Sequence, residues 1–275
     1  MNRQASAPSD LDRLVGLHPD LALVIFDFDG TLSWLRHGWP EMMCRAAEPF
    51  FPHQLEESPE ALRELMLDEI MALNGQPSIA QCERLAEMIR ARSGEPPDAE
   101  SLRQNFQATL DDAIERRSER LRQGAAAPDD YLIAGARDFL HRIAGSRLTP
   151  VLLSSTIQAR VEAEAELLGV RHYFGDRLYG GQGDPRQFSK HAVMERLLAE
   201  HKVSGAQLLS FGDGPAETRA ASSLGGLAVA VCSDEERHAS GVLDERKQTQ
   251  LCEAGASLAI ADFCEAGALL DLIGI

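Results

Sequence analysis

Leu21-Ala22-Leu23-Val24-Ile25-Phe26-Asp27-Phe28-Asp29-Gly30-Thr31-Leu32 is the stretch whose reading decides the fold. Residues 21–26 form a continuous apolar run rich in branched side chains. A run without polar alternation suits a strand buried on both faces, as in a parallel sheet. It ends at an acidic segment, Asp27 to Gly30. On a strand Asp27 and Asp29 would share a face, and Gly30 marks where the chain turns. Asp-Gly alone is a common turn pair. Behind a buried strand, two carboxylates in one cleft can divide labour: one stays ionised as nucleophile or metal ligand, the other exchanges a proton.

Four more apolar runs follow. Leu148–Leu153 leads into Ser154-Ser155-Thr156, and Gln207–Phe211 into Gly212-Asp213-Gly214; then come Leu227–Val231 and Leu258–Ile260, the last ending near Asp262, read as a helix cap. Helical periodicity lies between them, over Ala136–Ile143, Ile157–Leu168, Ser189–His201, Pro215–Leu224 and Asp244–Ala254. Strands alternating with helices of this length predict an α/β fold with a doubly wound, Rossmann-like parallel sheet. Ligands of such sheets bind at the carboxyl ends of strands, where the polar motifs fall.

Residues 33–131 differ. They show no strand pattern but helical stretches at Pro59–Leu73, Ile79–Ser93 and Ala99–Arg122, separated by Asn74-Gly75, Gly94–Pro97 and Gly124–Pro128. The expected organisation is an α/β core over 1–32 and 132–275, interrupted by an all-helical insertion at 33–131.

Charge narrows the partners. Lys plus Arg number 27 against 43 Asp plus Glu, a formal net charge of −16 in 275 residues. That balance argues against nucleic acid or an anionic membrane surface as a partner. No stretch approaches the ~18 apolar residues of a membrane span. The first residues, MNRQASAPSDLDRL, lack the apolar region of a secretory signal and read as a short flexible tail. Five widely spaced cysteines without a C-x-x-C pair fit reduced thiols and a cytoplasmic location rather than a zinc site. Nothing in the pattern specifies an oligomeric state.

The segment Phe26-Asp27-Phe28-Asp29-Gly30-Thr31-Leu32 resembles the first motif of the haloacid dehalogenase-like superfamily, whose common members are phosphatases. The resemblance implies that Asp27 is the nucleophile and Asp29 the acid/base, and that both touch magnesium, Asp29 through its backbone carbonyl. Val151-Leu152-Leu153-Ser154 looks like the second motif, with the Ser154 hydroxyl on the phosphoryl group and Ser155 as a secondary candidate. By itself Ser-Ser-Thr before a helix is an ordinary cap cluster. The N–H groups of the following helix also suit an anion. Lys190, in Phe188-Ser189-Lys190, looks like the third motif, a point cation for the phosphoryl charge, with Lys202 as a less well placed competitor. Phe211-Gly212-Asp213-Gly214-Pro215-Ala216-Glu217 looks like the fourth: Asp213 is expected to bind magnesium directly and Glu217, where Asp is commoner, through a water.

The insertion falls where the family carries a helical cap that selects substrate. Ser33-Trp34-Leu35-Arg36-His37-Gly38-Trp39 leads into it, and Arg36 and His37 are candidate substrate contacts, against the plainer reading of a packed hinge. Gly225–Val231, Ser233–Glu235, Ala254–Ala256 and Ile260–Phe263 resemble a little-characterised phosphatase-like branch, some of it linked with carbohydrate kinases, which points toward sugar phosphates. The expected activity is magnesium-dependent hydrolysis of a small phosphorylated metabolite through an aspartyl-phosphate on Asp27. The alternatives are a phosphomutase of the β-phosphoglucomutase kind and a non-catalytic module that binds a phosphorylated ligand. Asp29, Asp213 and Lys190 together disfavour a dehalogenase. The absence of lysine from 33–131 disfavours a phosphonatase, which needs a cap lysine.

Overall fold

The computed structural model describes residues 20–52, 57–74, 77–182, 188–264 and 266–273, together with Gly16. The tail expected at 1–14, and Gly75 of the expected Asn74-Gly75 break, lie outside them. The chain forms two compact units, Met1–Ser33 with Pro128–Ile275, and Trp34–Ala127.

The first unit is built on a six-stranded sheet of β1 (Leu23–Phe26), β2 (Thr149–Ile157), β3 (Leu178–Gly181), β4 (Leu208–Gly212), β5 (Leu227–Val231) and β6 (Leu258–Ile260). The spatial order is β3-β2-β1-β4-β5-β6, and every pairing is parallel. This is the doubly wound sheet expected from the sequence. Strand order reverses between β1 and β4, so the crevice at their carboxyl ends is where a ligand site forms.

Successive residues of β1 serve opposite faces. Leu23 and Ile25 join Val151, Leu153, Met194, Leu197, Leu208 and Ala221 in one apolar layer. Phe26 faces the other way and stacks on Phe211 of β4, its register partner, with centroids 5.2 Å apart and planes 8° from parallel. Phe139 and Phe174 meet Phe26 edge-on, and Phe263 meets it at a tilt.

The helices of this unit match the expected periods to within a residue or two: α5 (Ala136–Ala144), α6 (Gln158–Leu167), α7 (Lys190–His201), α8 (Pro215–Ser223) and α9 (Glu245–Glu253), followed by a short α10 (Gly267–Leu272). Caps explain two of the starts. Ser189 accepts from the Ala192 N–H, and Asp244 accepts from the N–H groups of Arg246 and Lys247.

Two readings change. β2 runs past Leu153 to Ile157, so Ser154, Ser155 and Thr156 lie in the strand; the N-cap of α6 is Ile157, which makes no side-chain cap. β3 has no counterpart among the expected strands. A Cβ on Gly180 would come within 2.5 Å of the Gln158 Cα at the start of α6 and 2.8 Å of the Thr156 carbonyl oxygen of the extended β2, so only glycine fits there.

The second unit is helical: α1 (Trp39–Ala47), α2 (Pro59–Ala72), α3 (Ser78–Ala91) and α4 (Ala99–Arg122). Ser58 and Asp98 cap α2 and α4. Met43, Met66, Ile70, Leu85, Ile89, Leu102 and Phe106 form its core. α1 was not expected; Pro40 reads as a breaker, but in a first helical turn its missing N–H has no partner to lose. Among the described residues no helix is long and apolar enough to cross a membrane.

Phe26 is fully buried at the centre of the aromatic layer. Phe26→Ala is expected to lower unfolding free energy by about 3–5 kcal/mol, measured by urea denaturation; a loss under about 1 kcal/mol would show that this layer does not support the sheet.

Candidate active site

The β1–β4 register brings the acids together. Phe26 pairs with Phe211, and the Asp27 N–H donates to the Phe211 carbonyl at 2.9 Å, so Asp27 leaves β1 beside the segment Gly212-Asp213. The chain then folds back on the Phe28 carbonyl, which accepts from Leu32 and Ser33 N–H at 2.9 and 2.8 Å. Gly30 takes φ +75°, and a Cβ there would fall 2.0 Å from Asp213 Oδ2. Glycine is required on both counts. Thr31 Oγ1 donates to Asp213 Oδ1 at 3.2 Å.

Lys190 opens α7 and is buried. Its Nζ lies 2.9 Å from Asp27 Oδ2 and 2.8 Å from Glu217 Oε2. Glu217, in the first turn of α8, also accepts the Gly214 N–H at 2.5 Å through Oε1. Asp27, Asp213 and Glu217 each offer a carboxylate oxygen, and these oxygens lie within 4.8 Å of one another. An all-oxygen set of this kind suits a hard divalent cation.

The electrostatics agree with that chemistry. Burial pushes Asp27 well above the usual carboxylate range; Lys190 opposes the shift, while Glu217 and Asp213 add to it. Burial likewise pushes Asp213 up to about 7, against the pull of Lys247. Lys190 is raised despite its burial, because Asp27 and Glu217 outweigh the cost of desolvation. Buried carboxylates with too little positive charge hold protons. A divalent cation supplies that charge and reverses the effect.

Asp29 sits apart from this cluster. It is half-buried, and its Oδ2 accepts from Thr156 Oγ1 at 2.8 Å. Ser154 Oγ is 3.5 Å from the same oxygen, beyond a good hydrogen bond, and accepts the Thr156 N–H at 3.0 Å. Ser155, the next residue along β2, is exposed on the opposite face. Arg36 and His37 belong to the helical unit. There the His37 ring stacks on Trp34 at 3.7 Å, its Nδ1 meets the Trp34 carbonyl at 2.7 Å, and Arg117 donates to the Leu35 and His37 carbonyls.

Sequence reasoning missed Thr156 and Lys247. Thr156 was hidden by the cap reading of Ser-Ser-Thr. Lys247 is fully buried and stands 3.7 Å from Asp213 Oδ2. A signal for it existed: Lys190, Lys202 and Lys247 are the only lysines in a chain whose other basic side chains are arginine. Lys202 is accounted for as the exposed left-handed C-cap of α7, at φ 56°.

Fold and site together define a doubly wound α/β protein with a carboxylate–lysine centre at its switch point. The sequence profile of haloacid dehalogenase-like hydrolases matches residues 21–225, and the chain belongs to that family. No curated protein matches the sequence. Several solved structures share the fold at low identity. A conserved haloacid dehalogenase-like protein of unknown function from Agrobacterium tumefaciens is 19% identical, with 93% of this chain and 100% of that chain covered and a TM-score of 0.64. A hydrolase of the family from Deinococcus radiodurans, solved with bound phosphate and sodium, is 16% identical, with coverages of 92% and 97% and a TM-score of 0.59. A candidate β-phosphoglucomutase from Thermotoga maritima is 19% identical, with coverages of 92% and 98% and a TM-score of 0.55.

The raised carboxylates fix a pH dependence. Burial pushes Asp213 up to about 7, from 3.8 ordinarily. A cation ligated there must displace its proton below about pH 7, so divalent-cation affinity is expected to rise with pH through that value. Calorimetric Mg2+ titrations at about pH 6 and about pH 8 measure it, and equal affinities would show that Asp213 is already ionised at the lower pH.

Proposed function

We propose that this hydrolase is a magnesium-dependent phosphatase acting on a small phosphorylated metabolite, with Asp27 as nucleophile and Asp29 as acid/base. The observation that carries the reading is the contrast between two carboxylates two residues apart. Asp27 is buried against Lys190 at 2.9 Å, and Asp29 is half-buried and held by the Thr156 hydroxyl at 2.8 Å. Paired acids in unlike surroundings suit unlike roles.

In the proposed reaction an Asp27 oxygen bonds to phosphorus as the bond to the leaving oxygen breaks, and Asp29 gives that oxygen a proton. Asp29 then takes a proton from water, whose oxygen attacks phosphorus and frees Asp27 and phosphate. Lys190 and the Ser154 hydroxyl hold phosphoryl oxygens; Lys190 also keeps Asp27 aligned. Magnesium, held by Asp27, Asp213 and the Asp29 carbonyl, with Glu217 reached through a water, would supply the positive charge that lets a dianion approach a carboxylate. The all-oxygen donor cluster supports that choice of metal. The wide spacing of the cysteines, with no C-x-x-C pair, supports a cytoplasmic location.

The helical unit is assigned the role of a substrate-selecting cap. The same Asp pair would serve a phosphomutase passing the phosphoryl group to a sugar hydroxyl, a reading that fold likeness to the Thermotoga structure favours.

Asp27→Asn is expected to lower magnesium-dependent hydrolysis by about a thousandfold or more, read on an aryl phosphate and a panel of phosphorylated metabolites. Near-normal turnover by that variant sinks the mechanism. Isomerisation of hexose phosphates in place of hydrolysis selects the mutase, and no turnover by the unaltered protein at any pH or metal selects a binding module. Arg36→Ala is expected to raise KM several-fold or reorder the panel; an unchanged KM and order would remove Arg36 from substrate recognition.

A further inference from the structure

The lysine behind Asp213 has no part in the reaction just described, yet it is among the most deeply buried charges of the protein. Lys247, on α9, is 1% exposed. Its Nζ donates to Glu235 Oε1 at 2.5 Å and to the Ser233 carbonyl at 3.2 Å, and it stands 3.7 Å from Asp213 Oδ2. Ser233 Oγ in turn donates to the Gly30 carbonyl at 3.3 Å, in the loop that carries Asp27 and Asp29. Burying an ammonium group is expensive unless partners surround it. Here the partners are a second carboxylate, a carbonyl and the outer side of a proposed metal ligand. Glu235 and Lys247 both lie beyond residues 21–225, the span matched by the family.

The charges explain the arrangement. Asp27, Asp213, Glu217 and Glu235 are four carboxylates. Lys190 and Lys247 are two ammonium groups in contact with them. Among these six groups two negative charges are left over, of the sign that a divalent cation would offset. At 3.7 Å, Lys247 draws on the field of Asp213 without closing a hydrogen bond to it, so that carboxylate keeps lone pairs for another cation.

We propose that Lys247, counterbalanced by Glu235, is a fixed counter-cation behind Asp213 that sets how tightly the divalent cation is held. It is a positioning residue that acts through Asp213. The inference rests on the metal reading of the preceding subsection. Lys247 and the metal repel each other across one carboxylate, and Glu235 screens part of that repulsion. Removing the lysine therefore tightens metal binding, and removing the glutamate weakens it. A purely structural staple behaves otherwise: losing either partner would release the Ser233–Glu235 segment, disturb Asp213 and weaken binding in both cases.

The test is calorimetric titration of Mg2+ into the full chain without substrate, for the wild type, Lys247→Met, Glu235→Gln and the double variant. Lys247→Met is expected to bind about tenfold more tightly and Glu235→Gln about tenfold more weakly. The double variant, which leaves no unpaired buried charge, should return to within about threefold of wild type and keeps the test decisive if Lys247→Met alone fails to fold. Single variants shifted in the same direction, or a double variant that binds far more weakly than wild type, overturn the role of Lys247 while leaving the metal site standing. No Mg2+ binding by the wild type overturns the metal site and this inference with it.

Discussion

Three carboxylates, Asp27, Asp213 and Glu217, present oxygens within 4.8 Å of one another in the crevice between β1 and β4. Their mutual repulsion is the constraint around which the rest of the site is arranged. Lys190 bridges two of them, Lys247 stands behind the third, and Thr31 donates to it. None of these cations is on the surface, where water would weaken it; each is buried, where a charge pair is strongest and an unpaired charge costs most. Burial is the main cause that pushes Asp213 up to about 7, and against the neighbouring carboxylates the two lysines leave a shortage of positive charge.

That shortage follows from the fold. The pairing of Phe26 with Phe211 stacks two rings beneath the crevice and sets Asp27 beside the residues that follow β4. One register thus fixes both the acids and the apolar floor under them. The floor is fully buried, so it sharpens each interaction above it. The loop at Gly30 completes the geometry, since its backbone lies so close to Asp213 that no side chain fits between them.

Much of this was legible in the sequence. The buried run before Asp27, the Gly-Asp-Gly after β4 and the lysine opening α7 are local patterns, and local patterns fix where strands end and helices begin. β1, β4, β5 and β6 and their helices appear where periodicity puts them. β3 did not announce itself, because Gly180-Gly181 answers to the backbone of a neighbouring strand and not to its own propensity. Thr156 was obscured in the same way: its hydroxyl serves Asp29, which is distant in sequence, while its local context argues for a cap. Lys247 lies farther still from the motifs it attends. Only the scarcity of lysine among the basic residues marks it.

Glu217 shows why a local substitution can carry a tertiary reason. An Asp would be the commoner residue here by family resemblance, yet the glutamate occupies the third helical position of α8 and its Oε1 takes the Gly214 N–H, the reciprocal half of a capping box. Its other oxygen holds Lys190. One side chain therefore starts the helix after β4 and anchors the lysine that reaches Asp27. The extra methylene of Glu over Asp supplies the reach for both contacts; a shorter acid at this position would have to give up the helix start or the lysine. In that arrangement the cap of α8 and the charge balance at Asp27 are one interaction, so the helix cannot loosen without Lys190 losing an anchor.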